Sequence, residues 1–413
     1  MFKAIICACL LARSVPAQAD FPTWLSDLKQ EARARGISQA TLDSALNGIE
    51  ITPRVVELDR KQPEFVDSFS TYLTRHVTSR LVTRGQVLLN ENRVLFDEVE
   101  QRYGVPREIL VAFWGLETHY GSTTGNIPIP AALATLAFDG RRSDFFRVQL
   151  FDALAIIDAG HVTAANMRGS WAGAMGQMQF MPSTYRRYAV DGDGDGRINL
   201  WSSLPDVLHS AGNYLHEAGW KADEPAAFEV RLPTHFDGRY ARLYYRRPVA
   251  EWQTANLTRM SGKAFPLQTA TAAIILPEGL RGPAFMVFDN FDVILQWNRS
   301  ISYALSVVIL AEQLAGNTTL PNGAHVEAIN STQLMTLQQQ LTEMEIDAGV
   351  ADGLPGIKTQ TAIRRYQSAQ KLPVDGYPSP SLLLHIQQTH STASQAGQLK
   401  ARIAAPTFSD VIP

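Results

Sequence analysis

The chain has 413 residues, of which 45% are hydrophobic and 19% charged, with a formal net charge of −3. That balance excludes a largely disordered chain and is enough for two or three domains with sizeable cores. It lacks the basic footprint that binding to nucleic acid requires, so no nucleic-acid partner is expected.

Residues 1–19 read as a secretory signal peptide: Lys3 leads a short apolar run, Ala4–Ala12, and Ala17-Gln-Ala19 fits a small-x-small cleavage site. The run is too short to anchor a chain in a bilayer, and no later stretch reads as membrane-spanning. Cys7 and Cys9, the two cysteines of the chain, lie in this leader, so the mature protein is expected to have no disulfide. An exported, periplasmic protein is the expectation.

Helical periodicity follows around Leu25–Ala32, Thr41–Leu46 and Phe65–Val87. Pro106 is expected to open the next helix, with Ile109, Phe113 and Leu116 on one side and Gly121 closing it. Near its end stands Glu117. On a helix it lies above Leu110, Phe113 and Trp114, at spacings of seven, four and three. Burial against these side chains disfavours the carboxylate, and the negative pole of the helix acts in the same direction. A carboxylic acid still protonated near neutral pH is what protonation of a glycosidic oxygen needs. An exposed glutamate near a helix end is the commoner case, and the local pattern alone does not displace it.

Residues 130–160 and 203–218 also read as helical. Between them, the run Gly169–Tyr185 carries Ser170, Gln177, Gln179 and Tyr185 among small and apolar residues. That mixture suits a ligand cleft, although close helix packing would use the same Gly and Ala. A glycosidase with two carboxylates needs a second acid; Asp139, Asp144 and Asp152 are near only in sequence. Asp191-Gly-Asp193-Gly-Asp195-Gly196-Arg197 matches the start of an EF-hand loop. Arg197 would offer its carbonyl, Ser202 stands where a bidentate Glu belongs, and Asp206 is placed to reach in. Structural Ca2+ held by Asp191, Asp193, Asp195, Arg197 and Asp206 is expected, with an acidic turn as the alternative and no organic cofactor.

From about 225 to 290 short β-rich runs separated by Gly and Pro indicate a small β subdomain. Helix returns at 302–314, and 315–329 reads as a linker. Residues 330–388 form a compact unit of three helices whose turns, Asp352-Gly353 and Val374-Asp375-Gly376, hint at a duplication. Residues 389–413 lack periodicity and read as a flexible tail.

Trp114-Gly-Leu-Glu117-Thr-His-Tyr-Gly121, the Gly169–Tyr185 run, the acidic loop with Asn199-Leu-Trp201, Asn213-Tyr214, and Trp297-Asn298-Arg-Ser300 with Tyr303-Ala304 occur in the order seen in the lytic murein transglycosylase B family, which the chain resembles over roughly residues 22–314. Residues 330–388 resemble the peptidoglycan-binding domain 1 family through Leu337-Gln338, Asp352-Gly353, Gly356, Thr359, Ala362, Tyr366-Gln367 and Asp375-Gly376. The resemblance implies a mainly α (α+β) architecture. A lysozyme-like catalytic region over 20–314 would carry the inserted β subdomain, followed by a three-helix peptidoglycan-binding module at 330–388. It implies cleavage of the β-1,4 bond between N-acetylmuramic acid and N-acetylglucosamine in peptidoglycan. Glu117 would act first as acid on the leaving oxygen, then as base on the C6 hydroxyl that attacks C1, leaving a 1,6-anhydro end. Ser170, Gln179, Tyr214, Trp297, Asn298 and Tyr303 are the implied substrate-binding residues.

The chain departs from the family at Trp297, where many members have tyrosine, and at Gln177, an often aromatic position. It has no credible lipobox cysteine, which implies a soluble periplasmic form. A hydrolytic muramidase and a non-catalytic cell-wall adaptor stay open as other readings, and the sequence identifies no protein partner.

Overall fold

The computed structural model describes residues 20–60, 67–317 and 327–393. The expected signal peptide at 1–19, the 318–326 part of the expected linker and the tail beyond 393 lie outside the described residues, as do residues 61–66 of the expected Phe65–Val87 helix. The described chain is mainly helical with a small antiparallel sheet, the class expected from the sequence. Two compact units divide it. The first takes residues through Arg60, Asn126–Ala174 and Met181–Ser183, and the second takes Lys61–Gly125, Met175–Phe180 and the chain from Thr184 onward. Among the described residues, no single helix is long and apolar enough to cross a membrane.

In the first unit the helices Phe21–Ala34, Gln39–Leu46 and Pro53–Arg60 meet Ile129–Asp139 and Ser143–Asp158. Asp20 and Ser38 cap the first two helices by accepting from Thr23 N and Thr41 N, which satisfies donors that the helix cannot. Leu28, Leu42, Leu46, Leu133, Leu150 and Leu154 are wholly buried and form the core. The stretch 130–160 is broken into two helices at Gly140. Asp59 is buried beneath Arg141 and Arg142, and the hydrogen bond from Arg141 leads the causes that hold its carboxyl below the usual range. A short ribbon pairs Ile127–Pro128 with Arg168–Gly169.

The second unit is built around the helix Arg107–Thr118, which packs against Ser79–Glu91, Arg93–Tyr103, Leu204–Glu217 and Ile301–Leu314. Every residue from Ile109 to Gly115 is buried, so this helix is apolar all round, as a central core helix must be. The single helix expected at Phe65–Val87 is in fact Phe69–His76 and Ser79–Glu91 over its described part. The break falls where Thr78 turns its hydroxyl onto Leu81 N as an N-cap. The β subdomain is a five-stranded antiparallel sheet in the order Arg247–Pro248, Thr271–Ile275, Ala284–Val287, Ala227–Arg231, Thr258–Arg259. Ala273 opposes Val287 and Ile275 opposes Phe285. The strand Ala284–Val287 is buried throughout, which explains its continuous apolar run.

Residues 330–393 contribute the helices Ser331–Glu343, Ile357–Ala369 and Pro380–Ala393 around Leu334, Leu337, Leu341, Ile363, Tyr366 and Ile386. The duplication hinted at by the two Asp-Gly turns has a physical basis. Gln338 Oε1 accepts from Gly353 N at 2.9 Å, and Gln367 Oε1 accepts from Gly376 N at 2.9 Å. Each turn is thus pinned by a buried glutamine of the preceding helix. These helices also touch the β subdomain: Leu280 N donates to Asp375 Oδ2 at 3.1 Å, and Arg364 Nη2 donates to the Ala241 carbonyl at 3.0 Å. Gln338→Ala would leave the Gly353 N–H buried without its acceptor. The C-terminal helices should lose about 1–3 kcal/mol, read as a lower unfolding transition of that segment by calorimetry.

Candidate active site

Glu117 sits one residue before the end of the Arg107–Thr118 helix. Trp297 Nε1 donates to its Oε1 at 2.9 Å, and the Tyr303 hydroxyl donates to the same oxygen at 2.5 Å. Glu117 keeps part of its surface open, yet its carboxyl is densely surrounded. Desolvation raises its pKa to about 7, against the two hydrogen bonds, which pull it down. No second carboxylate contributes to the shift. Among the described residues Oε2 has no hydrogen-bond partner, and it is not sealed from solvent. The side chain therefore presents one anchored oxygen and one free one.

The anchors are themselves held. The Trp297 ring lies 4.4 Å from Phe113, 4.9 Å from Tyr214 and 5.3 Å from Phe180, centroid to centroid. Such tilted and edge-on contacts fix the indole and aim its N–H. Tyr214 also packs on Tyr188 at 4.8 Å. Tyr303 is 5% exposed; burial first, and then the nearby charge of Glu117, push its hydroxyl well above the usual range. Burial first, and then the same charge, raise Tyr72 above the usual range, so its hydroxyl lies within electrostatic reach of Glu117. Sequence reasoning missed Tyr72, because no local pattern links the Phe69–His76 helix to Glu117.

The helix carrying Glu117 does not end at Gly121. It closes at His119, whose N–H returns to the Gly115 carbonyl, while Tyr120 N returns to Trp114. His119, Tyr120 and Gly121 stand in succession at φ 48°, 61° and 80°, a conformation that costs non-glycine residues about 1–3 kcal/mol each. Gly121 is needed for space: an added Cβ would fall 2.4 Å from Gln177 Oε1. That oxygen accepts from Trp114 Nε1 at 2.8 Å, and Thr118 Oγ1 donates to the Gln177 carbonyl at 2.7 Å. Gln177 thus braces the turn after Glu117.

The other implied binding residues divide. Tyr214, Trp297 and Tyr303 come together at or near Glu117. Gln179, at φ 50°, spends its amide on the Thr124 and Gly176 carbonyls at 3.1 and 3.0 Å. Asn298 is exposed, and its Oδ1 accepts from Ser300 N at 3.1 Å. Ser170 belongs to the first unit, where its Oγ accepts from Ala174 N at 3.0 Å. Asp139 there pairs with Arg60 at 2.7 Å.

In the acidic loop, Asp191, Asp193 and Asp206 each bring a carboxylate oxygen within 4.8 Å of one another. Asp195 is not in that group: its Oδ1 accepts from Arg197 N at 2.8 Å. Asp206 is buried, and its two oxygens accept from Gly192 N and Asn199 N at 2.8 and 2.6 Å. Converging carboxylate oxygens of this kind suit a hard cation.

Residues 20–312 match the transglycosylase SLT domain, and residues 330–385 match a peptidoglycan binding domain. The chain belongs to the transglycosylase SLT domain family. It is 34% identical over 257 residues to the membrane-bound lytic murein transglycosylase B of Escherichia coli (strain K12), spanning 59% of this chain and 66% of that relative's length. It is similar to the solved structures of SltB3 from Pseudomonas aeruginosa in complex with NAG-anhNAM-pentapeptide and with NAG-NAM-pentapeptide. There the identity is 42% and the TM-score 0.86, over 89% of this chain and 99% of that one. A further similarity, at 29% identity and TM-score 0.61 over 72% of this chain and 94% of that one, is to the Escherichia coli lytic transglycosylase SLT35 in complex with calcium.

Because the folded state holds a proton on Glu117 up to about pH 7, and the unfolded chain releases it near the usual carboxylate value, this group stabilises the fold at low pH and loses that contribution as pH rises through the folded value. Glu117→Gln, which is neutral throughout, should unfold at a higher temperature than wild type near pH 8 and match it below about pH 4, as read by thermal melts at the two pH values.

Proposed function

We propose that this chain is a lytic transglycosylase of peptidoglycan, acting outside the cytoplasm on the β-1,4 bond between N-acetylmuramic acid and N-acetylglucosamine. The observation that carries the reading is the Glu117 carboxyl. Desolvation raises its pKa to about 7, so a large fraction still holds its proton at neutral pH, with no second carboxylate acting on it, in a chain of this family. A lone acid fits a reaction in which the substrate supplies its own nucleophile.

The geometry suits both halves of that reaction. Oε1 is anchored by Trp297 and Tyr303, which leaves Oε2 to carry the proton to the leaving oxygen as the C1–O bond breaks. The carboxylate so formed keeps both hydrogen bonds, which favour the charged form and limit its cost in a desolvated setting. It then takes the proton of the C6 hydroxyl as that oxygen bonds to C1. The proton count on Glu117 is restored, no water is consumed, and the product carries a 1,6-anhydro ring. Residues 330–385, matching a peptidoglycan binding domain, would hold the enzyme to the wall. The peptide-bearing NAG-NAM ligands of SltB3 support the same substrate class.

Asp191, Asp193 and Asp206 would hold a calcium ion in a structural role, in line with the calcium complex of SLT35. The ion would offset the repulsion of the clustered carboxylates and brace the segment between Tyr185, whose hydroxyl donates to the Ile198 carbonyl at 2.6 Å, and the Leu204–Glu217 helix.

Digestion of purified murein, followed by mass spectrometry, tests the chemistry. Wild type should release anhydromuropeptides, and Glu117→Gln should lose activity by at least about 10²–10⁴-fold. Products one water heavier would mean hydrolysis, and undiminished lysis by the variant would remove Glu117 from the mechanism. For the cation, EDTA should lower the melting temperature and added calcium restore it, because binding to the native state alone stabilises by mass action. Identical melts with and without calcium would remove the metal from the site.

A further inference from the structure

The contact between the C-terminal helices and the β subdomain continues toward Glu117. Asp375, in the second Asp-Gly turn, accepts from Leu280 N through Oδ2. Leu280 lies in the Gly279–Arg281 turn, which Glu278 immediately precedes. Glu278 is 1% exposed, and both its oxygens are spent on one residue: Oε1 accepts from Ser70 N at 2.9 Å and Oε2 from Ser70 Oγ at 2.6 Å. Ser70 lies in the first turn of the Phe69–His76 helix, where a carboxylate is favoured by the unpaired N–H groups and the positive pole. That helix packs on Ile301–Leu314, the helix that supplies Tyr303 to Glu117, and it carries Tyr72, which the charge of Glu117 also reaches. Phe69 itself stands edge-on to Phe285 of the sheet at 5.7 Å.

The approach at the interface is close. Gly279 adopts φ +69°, and a Cβ there would fall 2.6 Å from Asp375 Oδ2. A Cβ at Gly238 would fall 2.3 Å from the Val374 carbonyl oxygen. Arg364, which reaches the Ala241 carbonyl, is buried enough at this seam to bring its guanidinium down to about 10.

We propose that the C-terminal module does more than hold the wall: by seating the Gly279–Arg281 turn it fixes Glu278, and through Ser70 it fixes the helix that packs against the one supplying Tyr303 to Glu117. Asp375 and Glu278 are then positioning residues for the reaction, which rests on the function proposed above. Binding and catalysis are coupled through one face of the module, so a strained or displaced module lowers turnover even on a substrate too small to need retention.

The test uses the full chain with Gly238→Ala and Gly279→Ala, each of which wedges the seam from the β-subdomain side without changing the module. Hydrogen exchange at the Thr71–Leu73 amides should become faster in both variants. On a soluble NAG–NAM oligosaccharide kcat should fall about tenfold, with KM little changed and pelleting on sacculi retained. Two variants guard against misfolding of one, and Glu117→Gln serves as the inactive control. Wild-type kcat in both variants would overturn the coupling, as would a rise in KM alone, since that would assign the seam to substrate retention. If wild type itself released no anhydro product, the function would fall and the catalytic claim with it. The exchange result would then still report whether the seam holds the Phe69–His76 helix.

Discussion

One opposition of forces governs Glu117 in the second unit: desolvation, which raises its pKa to about 7, against two hydrogen bonds to Oε1, which favour the anion. Either force alone would give a poor catalyst. Without the hydrogen bonds the carboxylate left after proton transfer would be a charge stranded among apolar groups. Without the burial the proton would already be lost at neutral pH. In the proposed reaction the two together would let one carboxyl act first as acid and then, as its conjugate base, within one turnover.

Both donors come from a chain corner. Trp297 ends the Asp289–Trp297 helix and Tyr303 lies in the first turn of Ile301–Leu314, with the two helix axes bent by 114°. On one continuous helix, residues six apart would point about 240° around the axis from each other and could not share an oxygen. The turn through Asn298 and Ser300 removes that conflict: Asn298 Oδ1 accepts from Ser300 N, and Ser300 Oγ then caps the new helix by accepting from Tyr303 N at 3.2 Å. The exposed Asn298 thus owes a clear role to chain direction, and Phe113, Phe180 and Tyr214 complete the corner by holding the indole.

The same economy of buried polar groups recurs farther out. Gln338 and Gln367 pin the two turns of the C-terminal module, and Asp375 serves both its own turn and the Leu280 N–H. Glu278 places a carboxylate at the start of the Phe69–His76 helix. Gln338, Gln367 and Glu278 are buried and Asp375 is half-buried, all with hydrogen bonds made, and such networks transmit position because moving one member leaves another unpaired. The module is therefore physically continuous with the surroundings of Glu117.

Much of this was legible along the chain, wherever the deciding forces are local. The apolar run before Glu117 announced a buried helix, the β-rich runs of 225–290 announced the sheet, and the Asp-Gly pairs announced the paired turns, because periodicity and turn chemistry are properties of neighbours in sequence. Local signals failed where tertiary contacts decide. Gly121 read as a helix stop, but the stop is His119, since Thr118 and Gln177 hold the following residues in a left-handed path. In the acidic loop the expected Asp206, from the next helix, draws together with Asp191 and Asp193, while Asp195 Oδ1 accepts from Arg197 N. Sequence by itself determined the apolar helix that carries Glu117, the β-rich region and the Asp-Gly turns. Only the tertiary structure decided which distant donors meet that acid, that its charge reaches Tyr72 and that the last helices hydrogen-bond to the β subdomain, because hydrogen bonds and desolvation act through space between residues whose separation along the chain carries no signal.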